Sequence, residues 1–264
     1  MKTEKSLLAI FMISFVFGCT SPKPELLGGK IIDLTYTFDQ NTVFWPTAKE
    51  FQLESVHAGI TDAGYYYTAN NFCTSEHGGT HIDAPIHFYK DGNTVDAISL
   101  EQLIGRGVVV DVSEKCAADR DYQVQVEDFT AWEDKHGTRL NDVIVLLRTG
   151  FGQYWPARVD YMGTDERGEQ AVAKLHFPGL HPEAAKWLAE NRSVRAIGLD
   201  TPSIDYGQST LFESHVKLFQ NNIVAFENVA NLDQLPEKDF TVIALPMKIG
   251  GGSGGPLRIV AMVE

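Results

Sequence analysis

Apolar and β-branched residues gather along the chain in short blocks set off by polar and turn-forming stretches. Blocks at residues 30–38, 108–112, 142–148, 194–199, 222–227, 240–249 and 256–263 predict strands. Helical spacing is rarer. Residues 99–104 form a short candidate, residues 126–136 place Phe129 and Trp132 at i, i+3, and residues 182–190 open on a proline with an early glutamate. Many strands, interspersed helices and no regular alternation between them predict a single α/β domain on a mixed sheet. No repeat, low-complexity run or linker divides the chain after residue 30. Residues 151–179 form a long aromatic stretch. Loops of that length are uncommon unless functional or disordered, and the aromatics oppose disorder. A lid, an oligomer contact or a packed surface loop is expected there.

The start of the chain carries a different pattern. Lys2 and Lys5 precede a largely apolar run at 7–17 that leads into Gly18 and Cys19, as in a secretory signal. The run is shorter than the about 20 apolar residues of a membrane span. Val16-Phe17-Gly18-Cys19 resembles a bacterial lipobox with Cys19 as the lipidated residue, although Phe17 departs from the usual small or aliphatic residue and leaves simple secretion open. Residues 1–19 are therefore read as a signal peptide, 20–29 as a tether and 30–264 as the folded domain. The expected location is periplasmic or membrane-anchored in a bacterium, and secreted otherwise.

Charge and cysteines narrow the partners. A net charge of −13 argues against nucleic acid and against an anionic membrane surface. Beyond Cys19 only Cys73 and Cys116 remain, too few for a disulfide scaffold, and they either pair or stay free.

The chemistry concentrates between Glu76 and Phe88. His77, His81, Asp83 and His87 fall within eleven positions of a chain that has 8 histidines in all, and imidazole with carboxylate is the usual N/O donor set for zinc or manganese. All four carry odd numbers, so an extended chain points them to one side. A straight strand would nevertheless hold His77 and His81 roughly 13 Å apart at about 3.3 Å per residue, too far for one ion. A helix would swing Asp83 away, and Pro85 and the glycines oppose it. Gly78 and Gly79 can take φ > 0, so a tight turn is expected to gather the donors.

This stretch, His77-Gly-Gly-Thr-His81-Ile-Asp83-Ala-Pro-Ile-His87-Phe, resembles the HxGTHxDxPxHF signature of the metal-dependent cyclase superfamily, which includes bacterial kynurenine formamidases and isatin hydrolases. The likeness runs through residues 30–264. Gly198-Leu-Asp200-Thr-Pro-Ser203-Ile-Asp205 is similar to a second family block, His215 and Glu227 to a distal metal-ligand pair, and Trp45 to a tryptophan upstream of the first ligand histidine. The resemblance implies a mixed β-barrel-like core flanked by helices, of the swivelling β/β/α type. It implies His77, His81, Asp83, His215 and Glu227 as ligands of one or two divalent ions, Zn²⁺ or Mn²⁺, with Asp83 placed to bridge a second ion. His87 is implied as the proton shuttle and Trp45 as a surface that stacks on substrate. The implied activity is metal-dependent hydrolysis of an amide in a small aromatic substrate, arylformamidase-like, or else of isatin or another cyclic amide or lactone. A homo-oligomer, dimer or tetramer, is expected.

Other readings compete. Gly251-Gly252-Ser253-Gly254-Gly255 satisfies G-x-S-x-G, but no acid-then-histidine pair follows it, as an α/β-hydrolase requires, so the glycines are expected to form a loop near the pocket floor. Glu76-His77 reverses the order of H-E-x-x-H. A secreted metal-containing binding protein without turnover is the third class, and the presence of His87 and Glu227 weighs against it. His57, His136, His176 and His181 are read as surface or satisfied core residues.

Overall fold

Strand pairing closes a barrel in the computed structural model, which describes residues 29–263. The segment read as a signal peptide ending at Cys19, and the expected tether up to residue 28, lie outside the described residues. The strands are β1 (Lys30–Asp33), β2 (Gln52–Ile60), β3 (Tyr66–Cys73), β4 (His81–Asp83), β5 (Ile104–Asp111), β6 (Gln123–Val124), β7 (Ile144–Arg148), β8 (Gly179–Leu180), β9 (Ala196–Leu199), β10 (Val224–Glu227), β11 (Phe240–Pro246) and β12 (Gly254–Val263). The order β12-β11-β5-β7-β9-β10-β4 returns to β12 through a pairing of β4 with Gly254–Pro256, and β1 pairs with the C-terminal part of β12, at Val260–Val263. β5, β7, β9 and β10 run parallel, and β4, β11 and β12 pair antiparallel. This is the mixed barrel flanked by helices that the resemblance implies.

Alternation along each strand divides the core in two. Ile82, Val109, Leu146, Phe226, Val242 and Ile259 come from six strands and meet in the barrel lumen. Their neighbours Val108, Val110, Val145, Leu147, Ile197 and Ala225 face outwards and pack with Phe129, Leu188 and Phe219. Strands covered on both faces read as continuous Val/Ile/Leu runs, which is why these were visible in the sequence. Three helices cover the barrel: α1 (Val126–His136), α2 (Pro182–Asn191) and α3 (Glu213–Phe219). α1 starts where the Asp128 carboxylate accepts the Gln125 N–H at 2.7 Å and stops at Gly137 in the left-handed region. α2 has Pro182 at its first turn and His181 Nδ1 accepting the Glu183 N–H.

Several expectations change. The first strand ends at Asp33 rather than 38, because Leu34 turns into the core and the Tyr36 N–H goes to Thr80 Oγ1. Residues 151–179 are no lid. Tyr161, Met162, Leu175 and Phe177 are fully buried in the outer core, so the stretch is a packed connection with short helical turns. Cys73 and Cys116 are both free, the first exposed and the second buried. No described helix is long and apolar enough to cross a membrane.

The β2–β3 hairpin is the one large element absent from the strand expectations. It is exposed on both faces over nearly its whole length. No core imposes alternation on it, so its residues mix aromatics with Glu54, Asn70 and Asn71 in no period.

Candidate metal centre

Gly78 and Gly79 make the turn that the donor spacing requires. Both have positive φ, +152° and +56°, and a side chain at Gly78 would run into the Phe44 ring, with its Cβ 2.0 Å from Cδ1. Past the turn, Thr80 is pinned by the Asn228 carbonyl, and the chain enters β4 with His81 and Asp83 on its outer face, opposite in direction to Ile82. β10 lies antiparallel alongside, with Glu227 directly across from His81. On the other flank β12 sets Gly254 across from Asp83. α3 then lays His215 over the pair of strands.

The donors converge. His81 Nε2 lies 3.1 Å from Asp83 Oδ1 and 3.4 Å from Glu227 Oε2. His215 Nε2 is 3.1 Å from both Asp83 Oδ2 and Glu227 Oε1, and His77 Nδ1 is 2.7 Å from Asp83 Oδ1. All but His77 are nearly inaccessible to solvent. Separations of about 3 Å are what donors about 2.1 Å from a common centre have between them. His87, at the end of a 3₁₀ turn (Pro85–His87), stacks its ring on His77 at 3.8 Å. The residues form two overlapping groups, His77 with Asp83 and His87, and His81 with Asp83 and Glu227, both sharing Asp83.

Two features show that this donor set fits a divalent cation. His81 donates from Nδ1 to the Gly79 carbonyl at 2.9 Å, and its Nε2 is a buried nitrogen with no hydrogen-bond partner. His215 gives its Nδ1 proton to Asp205 at 2.6 Å and turns Nε2 to the carboxylates. Burial opposes a charged ring, but Asp205, Asp83 and Glu227 outweigh it and hold the pKa well above the usual histidine value. Nε2 therefore faces the carboxylates with a proton that a metal ion would replace. Asp83 and Glu227 are buried side by side, and their ion-pair partners are histidines. Burial opposes ionisation of Asp83, yet His77, His81 and His215 outweigh it and hold the carboxyl well below the usual range. Burial and the Asp83 charge push Glu227 up. Burial works against a charged His81, but Asp83 and Glu227 lift its pKa to about 9. The cage thus draws positive charge, as protons or as a metal. For His87 burial dominates and lowers the pKa to about 4 despite Asp83, which keeps that ring neutral at pH 7.

These side chains form one end of a cavity of about 330 Å³ whose other walls include Val43, Phe44, Trp45, Phe88 and Phe212. Trp45 is half-buried, edge-on to Phe177 at 6.4 Å and to Phe212 at 6.3 Å. All seven residues singled out in the sequence therefore line this one cavity. Three contributors were not assigned roles there: Asp205, Glu76 and Ser253. Asp205 was visible only within the second block, and Ser253 only as a rejected nucleophile. The other four histidines lie elsewhere: His136 on Glu237, His176 on Asp121, His181 at the start of α2, and His57 stacked on Tyr67 in the hairpin.

A family model described as "putative cyclase" matches residues 32–206. An isatin hydrolase of Roseibium aggregatum is 30% identical over 90% of this chain and 94% of its own length. A kynurenine formamidase of Bacillus cereus is 28% identical over 87% of this chain and 95% of its own. The solved structure of isatin hydrolase A from Labrenzia aggregata, bound to benzyl benzoate, superposes with a TM-score of 0.80 at 34% identity, covering 89% of this chain and 93% of that one.

Proposed function

Because the chain belongs to the cyclase family, with amide-hydrolysing enzymes among its relatives, we propose that it opens the cyclic amide of an isatin-like aromatic substrate. The linear formyl amide of the kynurenine formamidases is the second reading. The sequence alone put the formamidase first; the higher identity to isatin hydrolase, 30% against 28%, reverses the order. The observation that carries the proposal is the continuity of an aromatic wall, Trp45, Phe88 and Phe212, with the donor cluster in one cavity.

In this reading His77, His81, Asp83, His215 and Glu227 would hold a divalent ion. Such an ion would supply Lewis acidity, lowering the pKa of water and polarising a carbonyl. His87, neutral and beside the donors, takes the proton from the attacking water and returns it to the leaving nitrogen as the C–O bond forms and the C–N bond breaks. The aromatic wall excludes solvent and orients the ring. Hydrolysis assays with isatin and N-formylkynurenine, alongside metal analysis of the purified protein, test the proposal. Turnover of neither substrate by metal-loaded protein would sink it.

Trp45 is the substrate's apolar wall in this scheme. Trp45→Ala is expected to raise KM for the aromatic amide by about 1–2 kcal/mol, or roughly 5- to 30-fold, with a smaller change in kcat, because stacking serves ground and transition states alike. A variant that keeps KM and loses thermal stability instead would make Trp45 a packing residue.

The hairpin supports a homodimer as the assembly. Leu53, Ile60, Tyr66 and Phe72 are 53–69% exposed on it, and an isolated two-stranded hairpin is marginal in water. Residues 52–73 carry two carboxylates and no Lys or Arg, so two copies of a chain with net charge −13 repel least there. The 22-residue segment also matches the roughly 20–30 residues a side of a standard interface. Light scattering should show twice the chain mass, and Leu53→Glu with Tyr66→Glu should return it to a monomer. An unaltered protein that is monomeric at micromolar concentration excludes this surface. Export through residues 1–19 belongs to the same proposal, and cell fractionation tests it.

A further inference from the structure

We propose that Glu76 and Ser253 are positioning residues of the metal centre, setting the tautomer and ring plane of His77 so that Nδ1 presents its lone pair to the ion. The inference rests on His77 being a ligand.

Ser253 sits in the middle of a chain of contacts. Its N–H donates to Glu76 Oε2 at 3.1 Å and its hydroxyl to the same oxygen at 2.6 Å, while its Oγ lies 2.9 Å from His77 Nε2. A carboxylate only accepts, and a hydroxyl has one proton to give. With that proton on the Glu76 side, Oγ can only accept from His77, so Nε2 carries the imidazole hydrogen. A neutral imidazole has one N–H. Nδ1 is left with its lone pair, and it is this atom that stands 2.7 Å from Asp83 Oδ1. Two electron-rich atoms so close repel unless a proton or a metal ion lies between them, and with the imidazole hydrogen held on Nε2 a metal ion can take that place. His81 and His215 follow the same rule through the Gly79 carbonyl and Asp205. For His77 the tie is Ser253 and Glu76.

The backbone around Ser253 is built for this placement. A Cβ at Gly254 would sit 2.4 Å from the Ile82 carbonyl oxygen and 2.6 Å from His77 Cε1, and one at Gly252 would lie 2.8 Å from Glu76 Oε1. Only the residue between these two glycines carries a side chain. The carbonyls of Gly252 and Ser253 accept the N–H groups of Val95 and Ala84, at 2.9 Å each, which locks the loop to the segment bearing the ligands. Ser253, His77 and Asp83 also have the spacing of a nucleophile triad, but the hydroxyl proton points the wrong way. A nucleophilic serine gives it to histidine, whereas here Glu76 takes it.

The test uses the whole chain, stripped of metal. Zn²⁺ and Mn²⁺ affinities are measured by competition with a chromophoric chelator, and the visible absorption is recorded after loading with Co²⁺. Ser253→Ala is expected to weaken binding by about 10- to 100-fold, the usual cost of losing such a partner, and to alter the Co²⁺ spectrum. The melting temperature of the metal-free protein should not move. Glu76→Gln, whose amide oxygen still accepts the hydroxyl proton, should lose less than Glu76→Ala. Wild-type affinity in Ser253→Ala, a loss that only tracks falling metal-free stability, or fluorophosphonate labelling of Ser253 would each overturn the inference. If the unaltered protein takes up none of the three ions, the ligand set fails and the inference with it. If it binds and Ser253→Ala matches it, only the inference fails.

Discussion

Asp83→Ala is expected to lose most of the bound metal and all measurable hydrolysis while the barrel stays folded. Asp83 is the one residue that touches three of the four other donors: Oδ1 meets His77 and His81, and Oδ2 meets His215. Removing an outer partner of a metal ligand costs about 10- to 100-fold in affinity, so removing a ligand that uses both oxygens is expected to exceed about 100-fold. The fold should survive, because β4 is held to β10 and β12 by its backbone, and because Glu227 loses a buried carboxylate neighbour when Asp83 goes. His81→Ala should behave in the same direction, since its Nε2 has no other partner to satisfy. Metal analysis of the purified variants, with circular dichroism to confirm folding, makes the comparison. Retention of full metal content and activity by Asp83→Ala would place the centre elsewhere.

Position 87 should separate chemistry from binding. His87→Ala is expected to keep most of the metal and lose about 10²–10⁴ in kcat, the range for a general acid–base group. At about 1.36 kcal/mol per decade this is roughly 3–5 kcal/mol of transition-state stabilisation. Burial holds the ring neutral, with a lone pair to accept a proton, and its stacking on His77 keeps it within the cluster. Its membership of a donor group with His77 and Asp83 supplies the competing outcome. If His87→Ala loses metal in proportion to activity, His87 is a ligand and the proton moves through another group.

Local pattern was enough for some of this. The barrel strands were legible because both their faces are buried, so composition alone marks 108–112, 142–148 and 222–227. α1 and α2 were legible because their start and stop residues lie within the helix or beside it. α3 was not. Phe212 precedes it in a left-handed conformation and does not cap it; the Ser214 and His215 N–H groups are taken by Asp205, which reaches the helix from an earlier loop. A helix whose cap is non-local leaves no signal in its own sequence.

By itself the sequence determined that His77, His81, Asp83 and His87 would lie close together, because two glycines and an i, i+2 pair are matters of local backbone geometry. It determined equally that the chain would form a mixed α/β core, since buried strands must be apolar whatever they pair with. Only the tertiary structure decided which distant groups complete the centre. Glu227 arrives by the register of β10 on β4, His215 by a helix capped from a loop, and Ser253 by the pairing of Gly254 with Asp83. Register between strands far apart in the chain is set by the closure of the whole barrel, and no single stretch of residues contains it.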